Sequence, residues 1–152
     1  MPVKSKKTEK PEKKAKPKKT SKKYIYTVGR RKKASARVRL HLKKKGEIEV
    51  NGAPIEKYFP GEIEKSLYLS PLRTCNVIGK YLITVKVTGS GKSGQLGAVI
   101  HGIARALTKL DREKFYPILK KRGFLTRDPR MKERRKTGTG GKARRRKQSP
   151  KR

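Results

Sequence analysis

The apolar residues of this chain are confined to one stretch. Of 48 residues in the set AVILMFWYC, 43 fall between positions 24 and 125, and the 50 flanking residues hold five. A core forms only where such residues recur, so about a hundred residues have the means to fold, enough for a modest core. The two arms have too little apolar surface to offset the entropy of ordering them. Three segments follow: an extension over 1–23, a globular body over 24–125 and an extended tail over 126–152.

Charge is spread differently. The chain carries 46 Lys+Arg against 11 Asp+Glu, a net +35. The three segments hold +9, +15 and +11 in order. Self-repulsion on this scale calls for a dense counter-charge, and nucleic acid supplies about one negative charge per ~1.7 Å of duplex. A lone cysteine, Cys75, excludes an internal disulfide framework and a multi-cysteine metal site. No apolar run is long enough to span a bilayer, and no apolar stretch follows the basic start as a secretory leader requires.

The arms are unlike. The first is Lys, Pro and Thr without a single Arg, and reads as a diffuse electrostatic arm. The second is Arg-rich, with Gly138, Gly140 and Gly141 opening its backbone. Arginine offers a planar fork suited to phosphate, where lysine is a hydrated point charge.

The body reads as strands and helices in a definite order. Residues 24–28 are rich in strand formers. In 36–42, Val38, Leu40 and Leu42 alternate with Arg37, Arg39 and His41, which predicts a half-buried strand with a basic outer face. A turn at Lys43–Gly46 leads to a return strand over 47–50, with Ile48 and Val50 inward, and Asn51-Gly52 closes it. Short helical segments are expected at 54–59 and 62–69. The second places Ile63 and Leu67 on one face, and Pro71 should end or kink it. Residues 80–87 form the strongest strand, with Ile83, Val85 and Val87 facing one way. Leu96, Val99, Ile100, Ile103, Leu107 and Leu110 recur at helical steps, with His101, Arg105 and Lys109 opposite. Asp111 suits the N-cap of a last helix over 113–121, interrupted awkwardly by Pro117, and Gly123 suits its stop. This order predicts an α/β (α+β) two-layer sandwich, a mixed sheet with helices packed on it.

The segment TGSGKSGQ, 88–95, between strand and helix, is the one place an enzyme could hide. A nucleotide-binding P-loop needs G-x-x-x-x-G-K-[ST]. With Gly91-Lys92-Ser93 at its end, the first glycine must be residue 86, which is Lys. Asp111 and Asp128 are the only aspartates, too few to manage magnesium convincingly. The loop reads either as a helix N-terminus that meets an RNA phosphate, with Lys92 adding charge, or as a glycine turn that packs the helix close to the strand.

Other chemistry is thin. His41 and His101 lie on basic faces and read as surface or RNA-facing. Cys75 reads as a packed thiol. Glu47, Glu49, Glu56, Glu62 and Glu64 read as the face turned away from nucleic acid. Tyr24, Tyr26, Tyr58, Tyr68 and Tyr81 read as core or core-edge rather than stacking platforms. No catalytic residue, metal or cofactor is expected.

No helix-turn-helix, zinc finger or basic-zipper pattern is present. Phosphate and shape recognition of a structured RNA fits better, with arms that order on contact. The contacts are expected from Arg30, Arg31, Lys32 and Lys33 between the first two strands, from Arg37 and Arg39, and from Lys92 and Arg105. In the tail they are expected from Arg127, Arg130, Arg134, Arg135, Lys136, Lys142, Arg144, Arg145, Arg146 and Lys147.

Five stretches carry a family resemblance: GRRKKASARV (29–38), NGAPIEKYF (51–59), SGQLGAVIHGIARAL (93–107), RGFLTRDPRMKERRK (122–136) and ARRRKQSPKR (143–152). Together they resemble the family of the universal ninth protein of the small ribosomal subunit, in its bacterial type, over about 24–152. The resemblance implies a two-layer α/β domain with an extended C-terminal tail, seated in the subunit head on the 3′ domain of the small-subunit ribosomal RNA. It also implies that the tail reaches peptidyl-site transfer RNA, where Lys151 and Arg152 match the family's terminal pair. Two departures stand out. Gly89-Ser90-Gly91 replaces a triple glycine, and Gln148, Ser149 and Pro150 fill the region where the family carries an aromatic. Implied partners are ribosomal RNA, transfer RNA and neighbouring head proteins, in the cytoplasmic ribosome, with no membrane and no homo-oligomer. A general DNA-compacting protein and a nucleotide-binding enzyme are the competing readings.

Overall fold

Alternation of apolar and polar residues sets the sheet. In a computed structural model that describes residues 24–132 and residue 134, β1 (Tyr24–Arg31) and β2 (Ala34–His41) form an antiparallel hairpin. The turn between them is two residues long, and Lys32 takes a left-handed φ of 51°. β3 (Ile48–Val50) and β4 (Ala53–Pro54) pair through the turn at Asn51-Gly52, and β5 (Leu82–Thr88) completes a five-stranded sheet in the order β1-β2-β5-β3-β4.

The expected return of 47–50 onto the preceding strand does not occur. β5 lies between them, antiparallel to β2 and parallel to β3. The longer, β-branched β5 lays Ile83, Val85 and Val87 beside Leu40, Val38 and Ala36, all buried. A three-residue β3 cannot cover that apolar row, so it takes a place nearer the edge. β2 ends at His41, which leaves Leu42 41% exposed rather than beneath the helices.

The helices are α1 (Ile55–Tyr58), α2 (Glu62–Thr74), α3 (Lys92–Leu110) and α4 (Arg112–Lys121). They cover the face of the sheet formed by Ala36, Val38, Leu40, Ile83 and Val85. α3 supplies Leu96, Val99, Ile103 and Leu107 to the core, as its spacing indicates, but begins four residues before Leu96. α2 runs through Pro71 to Thr74. Pro71 leaves only the Leu67 carbonyl without its helical partner, and Leu67 lies on the solvent side, 46% exposed. The buried stripe of α2 is Tyr68, Pro71 and Leu72. Ile63 and Leu67, expected to mark its packed face, instead share the outer one. Asp111 caps α4 by accepting from the Lys114 N–H at 3.2 Å, and α4 accommodates Pro117.

α3 crosses β1 at very short range. A side chain at Gly29 would strike the Ala98 carbonyl and the Gly102 backbone, and one at Gly102 would strike Val38. Glycine at both positions lets strand and helix backbones approach directly. Thr27 seals the crossing by donating its hydroxyl to the Gly102 carbonyl at 2.9 Å.

Candidate nucleic-acid interface

The uncovered face of the sheet is built by the same alternation that builds the core. Arg37 pairs across to Lys86 and Val28, Arg39 to Thr84 and Tyr26, and His41 to Leu82 and Tyr24. These side chains all point away from the helices. Arg37, Arg39 and Lys86 line a shallow depression of about 680 Å³ with Glu49, Asn51 and Thr84. Glu49 therefore stands among the cations, not on a face opposed to them. Tyr24 and Tyr26 are 40% and 45% exposed on this side and do not belong to the core. The Arg39 guanidinium lies 5.5 Å from the Tyr24 ring centroid, and the His41 ring 5.9 Å from it.

At one end of the sheet the hairpin carries Arg30 and Arg31 at the close of β1, with Lys32 and Lys33 forming the turn. Asp128 binds the start of the C-terminal arm to this end. Its carboxylate meets Arg31 at 3.1 Å and accepts from the Arg130 guanidinium through two bonds of 3.0 Å. The bonds from Arg130, with the Arg31 charge behind them, hold this carboxyl far below the usual carboxylate range. Arg127 and Arg134 are exposed along the same segment. Arg135, Lys136, Lys142, Arg144, Arg145, Arg146, Lys147, Lys151 and Arg152 lie outside the described residues, as does the Lys-rich extension 1–23.

α3 presents two further groups. At its start, Gly89 and Ser90 both take left-handed φ values, and no side chain caps the helix. The Gln95 amide donates to the Gly89 carbonyl at 3.1 Å and accepts from the Tyr58 hydroxyl at 2.8 Å. Lys92 folds back over α1, its ammonium 3.5 Å from the Tyr58 ring centroid and 3.3 Å from the Tyr58 carbonyl. A P-loop lysine instead reaches toward the phosphates.

Along its side, α3 caps the open edge of β1, a feature not legible in the sequence. His101, Arg105 and Lys109 stand at four-residue steps. The His101 Nδ1 accepts from the Arg30 N–H at 3.3 Å. Arg105 donates to the Val28 carbonyl, and Lys109 to the Tyr26 carbonyl at 3.5 Å. His101 is thus turned onto the strand. Burial, reinforced by the Arg105 charge, pushes its pKa down and favours the neutral ring that can accept. The four-residue step was visible beforehand, but its register against alternate residues of β1 required the crossing at Gly29.

Cys75 is buried, and burial pushes its thiol up, away from reactivity. Among the described residues no His, Cys, Asp and Glu group could hold a metal ion, and no helix is long and apolar enough to cross a membrane.

Comparison with known proteins agrees with the resemblance. A small ribosomal subunit protein uS9 of Leifsonia xyli subsp. xyli is 48% identical over 111 residues, covering 73% of this chain and 66% of the relative. One of the same name from Anaeromyxobacter sp. (strain K) is 48% identical over 115 residues, covering 76% and 87%. The model of the family described as ribosomal protein S9/S16 matches residues 29–152. The chain belongs to that family, one of ribosomal proteins and not of enzymes.

Proposed function

We propose that the protein is a structural constituent of the small ribosomal subunit in the cytoplasmic ribosome, held in its head by the 3′ domain of the ribosomal RNA and by neighbouring head proteins. Its C-terminal arm reaches peptidyl-site transfer RNA during translation, with Lys151 and Arg152 as the contacts. The observation that carries this reading is the reach of the family match, which continues to residue 152 and so includes the whole arm. The tether of Asp128 to Arg31 supports it, because it launches that arm from the basic end of the body.

The segments then divide the work. The Lys-rich extension adds diffuse attraction. The body contributes Arg30, Arg31, Lys32 and Lys33 at the hairpin end, Arg37 and Arg39 on the open sheet face, and Lys92 and Arg105 on α3. The arm supplies Arg127, Arg130, Arg134 and the arginines beyond. Charge-assisted bonds to phosphate position such a protein on RNA without reading sequence.

The test uses small subunits reconstituted with a chain lacking Lys151 and Arg152. Assembly should be unchanged and transfer RNA retention in the peptidyl site should weaken. Retention equal to that of the intact chain would remove the transfer RNA role. Sedimentation through a high-salt gradient tests the rest: arms held by charge alone wash off as salt rises, whereas the intact chain should stay with the subunit.

A further inference from the structure

An apolar groove of about 240 Å³ lies where the start of β3, α1, α2 and the loop from α2 to β5 meet. Buried Tyr68 and Leu72 of α2 line it, together with Ile78 of the loop, which is 52% exposed. Its charged lining is Glu47 and Glu56. We propose that this groove receives a basic, extended segment of a neighbouring protein of the small subunit, with an apolar side chain entering the groove and Lys or Arg meeting the two carboxylates. The proposal rests on the subunit reading above and adds to it a surface and the chemistry of the partner.

Three observations carry it. The first is charge. The chain holds 46 Lys+Arg and 11 Asp+Glu, yet both charged side chains of the groove are acids. Lys45, Lys57 and Lys80 flank the lining segments along the chain, but none of them lines the groove. Such a site repels the phosphates that the rest of the body attracts and favours a cationic partner. Glu56 already meets Lys65 at 2.6 Å, but the two side chains are 62% and 50% exposed. A pair so open to solvent is weakly held, and a partner's cation can join or replace it.

The second is convergence. Burial pushes the Tyr68 phenol up, and the charges of Glu56 and Glu47 add to the shift. Both carboxylates therefore act on the one ring that lines the groove, although they come from separate elements. The third is size and surface. About 240 Å³ falls below the ~300 Å³ at which small-molecule pockets begin, and suits one or two side chains. Exposed Ile78 extends the apolar lining to the surface, the kind of patch that another protein covers. Proteins that share an RNA scaffold face the same demand for cationic arms that this chain meets with its own. The chain's own Lys-rich extension joins the body at β1, across the sheet from β3 and β4.

The test places a benzophenone amino acid at position 78 of the full chain, in assembled small subunits, and identifies the crosslinked segment by mass spectrometry. Ile78 and Glu47 are both exposed, so changes there leave the core intact. A crosslink to a Lys- or Arg-rich segment of another subunit protein is expected. Adding Glu47→Arg should lower its yield about tenfold. Glu113→Arg, the same change in net charge on α4, should leave the yield unaltered. A crosslink to RNA, to residues 1–23 of the same chain or to a second copy, or no crosslink at all, overturns the proposal while leaving the subunit reading standing. An equal loss of yield with both arginine variants overturns it as well, since net charge and not the groove would then govern. Failure of the parent chain to enter the subunit overturns that reading and this proposal with it.

Discussion

Asn51 takes a left-handed φ of 52° and uses its side chain as a substitute for backbone. The amide nitrogen donates to the Val87 carbonyl at 3.2 Å, and the amide oxygen accepts from the Val87 N–H at 2.9 Å. One residue thereby continues the pairing of β3 with β5 past the turn. Asn51→Ala removes both bonds and leaves alanine in a conformation it disfavours. It should lower stability by about 2 kcal/mol or more, read from a denaturant midpoint; a change within a few tenths would refute this account of the turn. His101 gives a pH dependence with a definite sign. Burial holds its folded pKa below the ordinary 6.5, so the unfolded chain binds its proton first as pH falls. The stability this residue contributes is present above that value and is lost as pH falls through and below it. His101→Gln should flatten the dependence between pH 7.5 and 5.5, and an unaltered slope would assign it elsewhere. Asn51-Gly52 announced a turn in the sequence. The role of its amide as a strand partner was not legible, because Val87 lies 36 residues away.

Among the elements, the pair β1 and α3 depends most on close approach. The helix is readable from its apolar spacing, and the strand from its composition. Their contact depends on Gly29 and Gly102, which in the sequence are simply two glycines. Gly29→Ala should push β1 off α3, and with it the edge contacts of His101, Arg105 and Lys109. Overpacking of this kind costs about 1–3 kcal/mol, and the clash with backbone places this case at the upper end. Amide exchange in 24–31 should accelerate more than in 82–88; uniform acceleration would mean that the crossing does not act locally. The same logic explains the elements misread from sequence. Ile63 and Leu67 fit a helical stripe, yet α2 is held by Tyr68, Pro71 and Leu72. A short amphipathic pattern allows more than one buried face, and the neighbours of α2 choose between them.

Over the whole molecule, the two faces of the sheet divide burial from charge. The helices cover one face of the sheet, and Arg37, Arg39 and Lys86 stand on the other with Tyr24 and Tyr26. Four of the glutamates lie towards the β3–β4 edge of the sheet, Glu47 beside β3 and Glu56, Glu62 and Glu64 on α1 and α2, where Glu56 pairs with Lys65 at 2.6 Å. A chain lacking residues 1–23 should show a smaller salt dependence of RNA affinity, because 11 lysines are gone. It should still sediment with the small subunit, since the family match begins at residue 29. Loss of the chain from the subunit would make the extension essential for binding, contrary to this expectation.

The amino-acid sequence alone determined where a core is possible, how strongly the chain must seek a polyanion, which segments alternate as strand or helix, and the family its motifs resemble. These properties are local or additive, so they survive without knowledge of neighbours. The tertiary structure decided the order of strands, the face of α2 that packs, the exposure of Tyr24 and Tyr26, and the closure of the β1 edge by α3. Each depends on which distant residues meet, and on the requirement that every buried apolar surface and backbone group find a partner in the same packing.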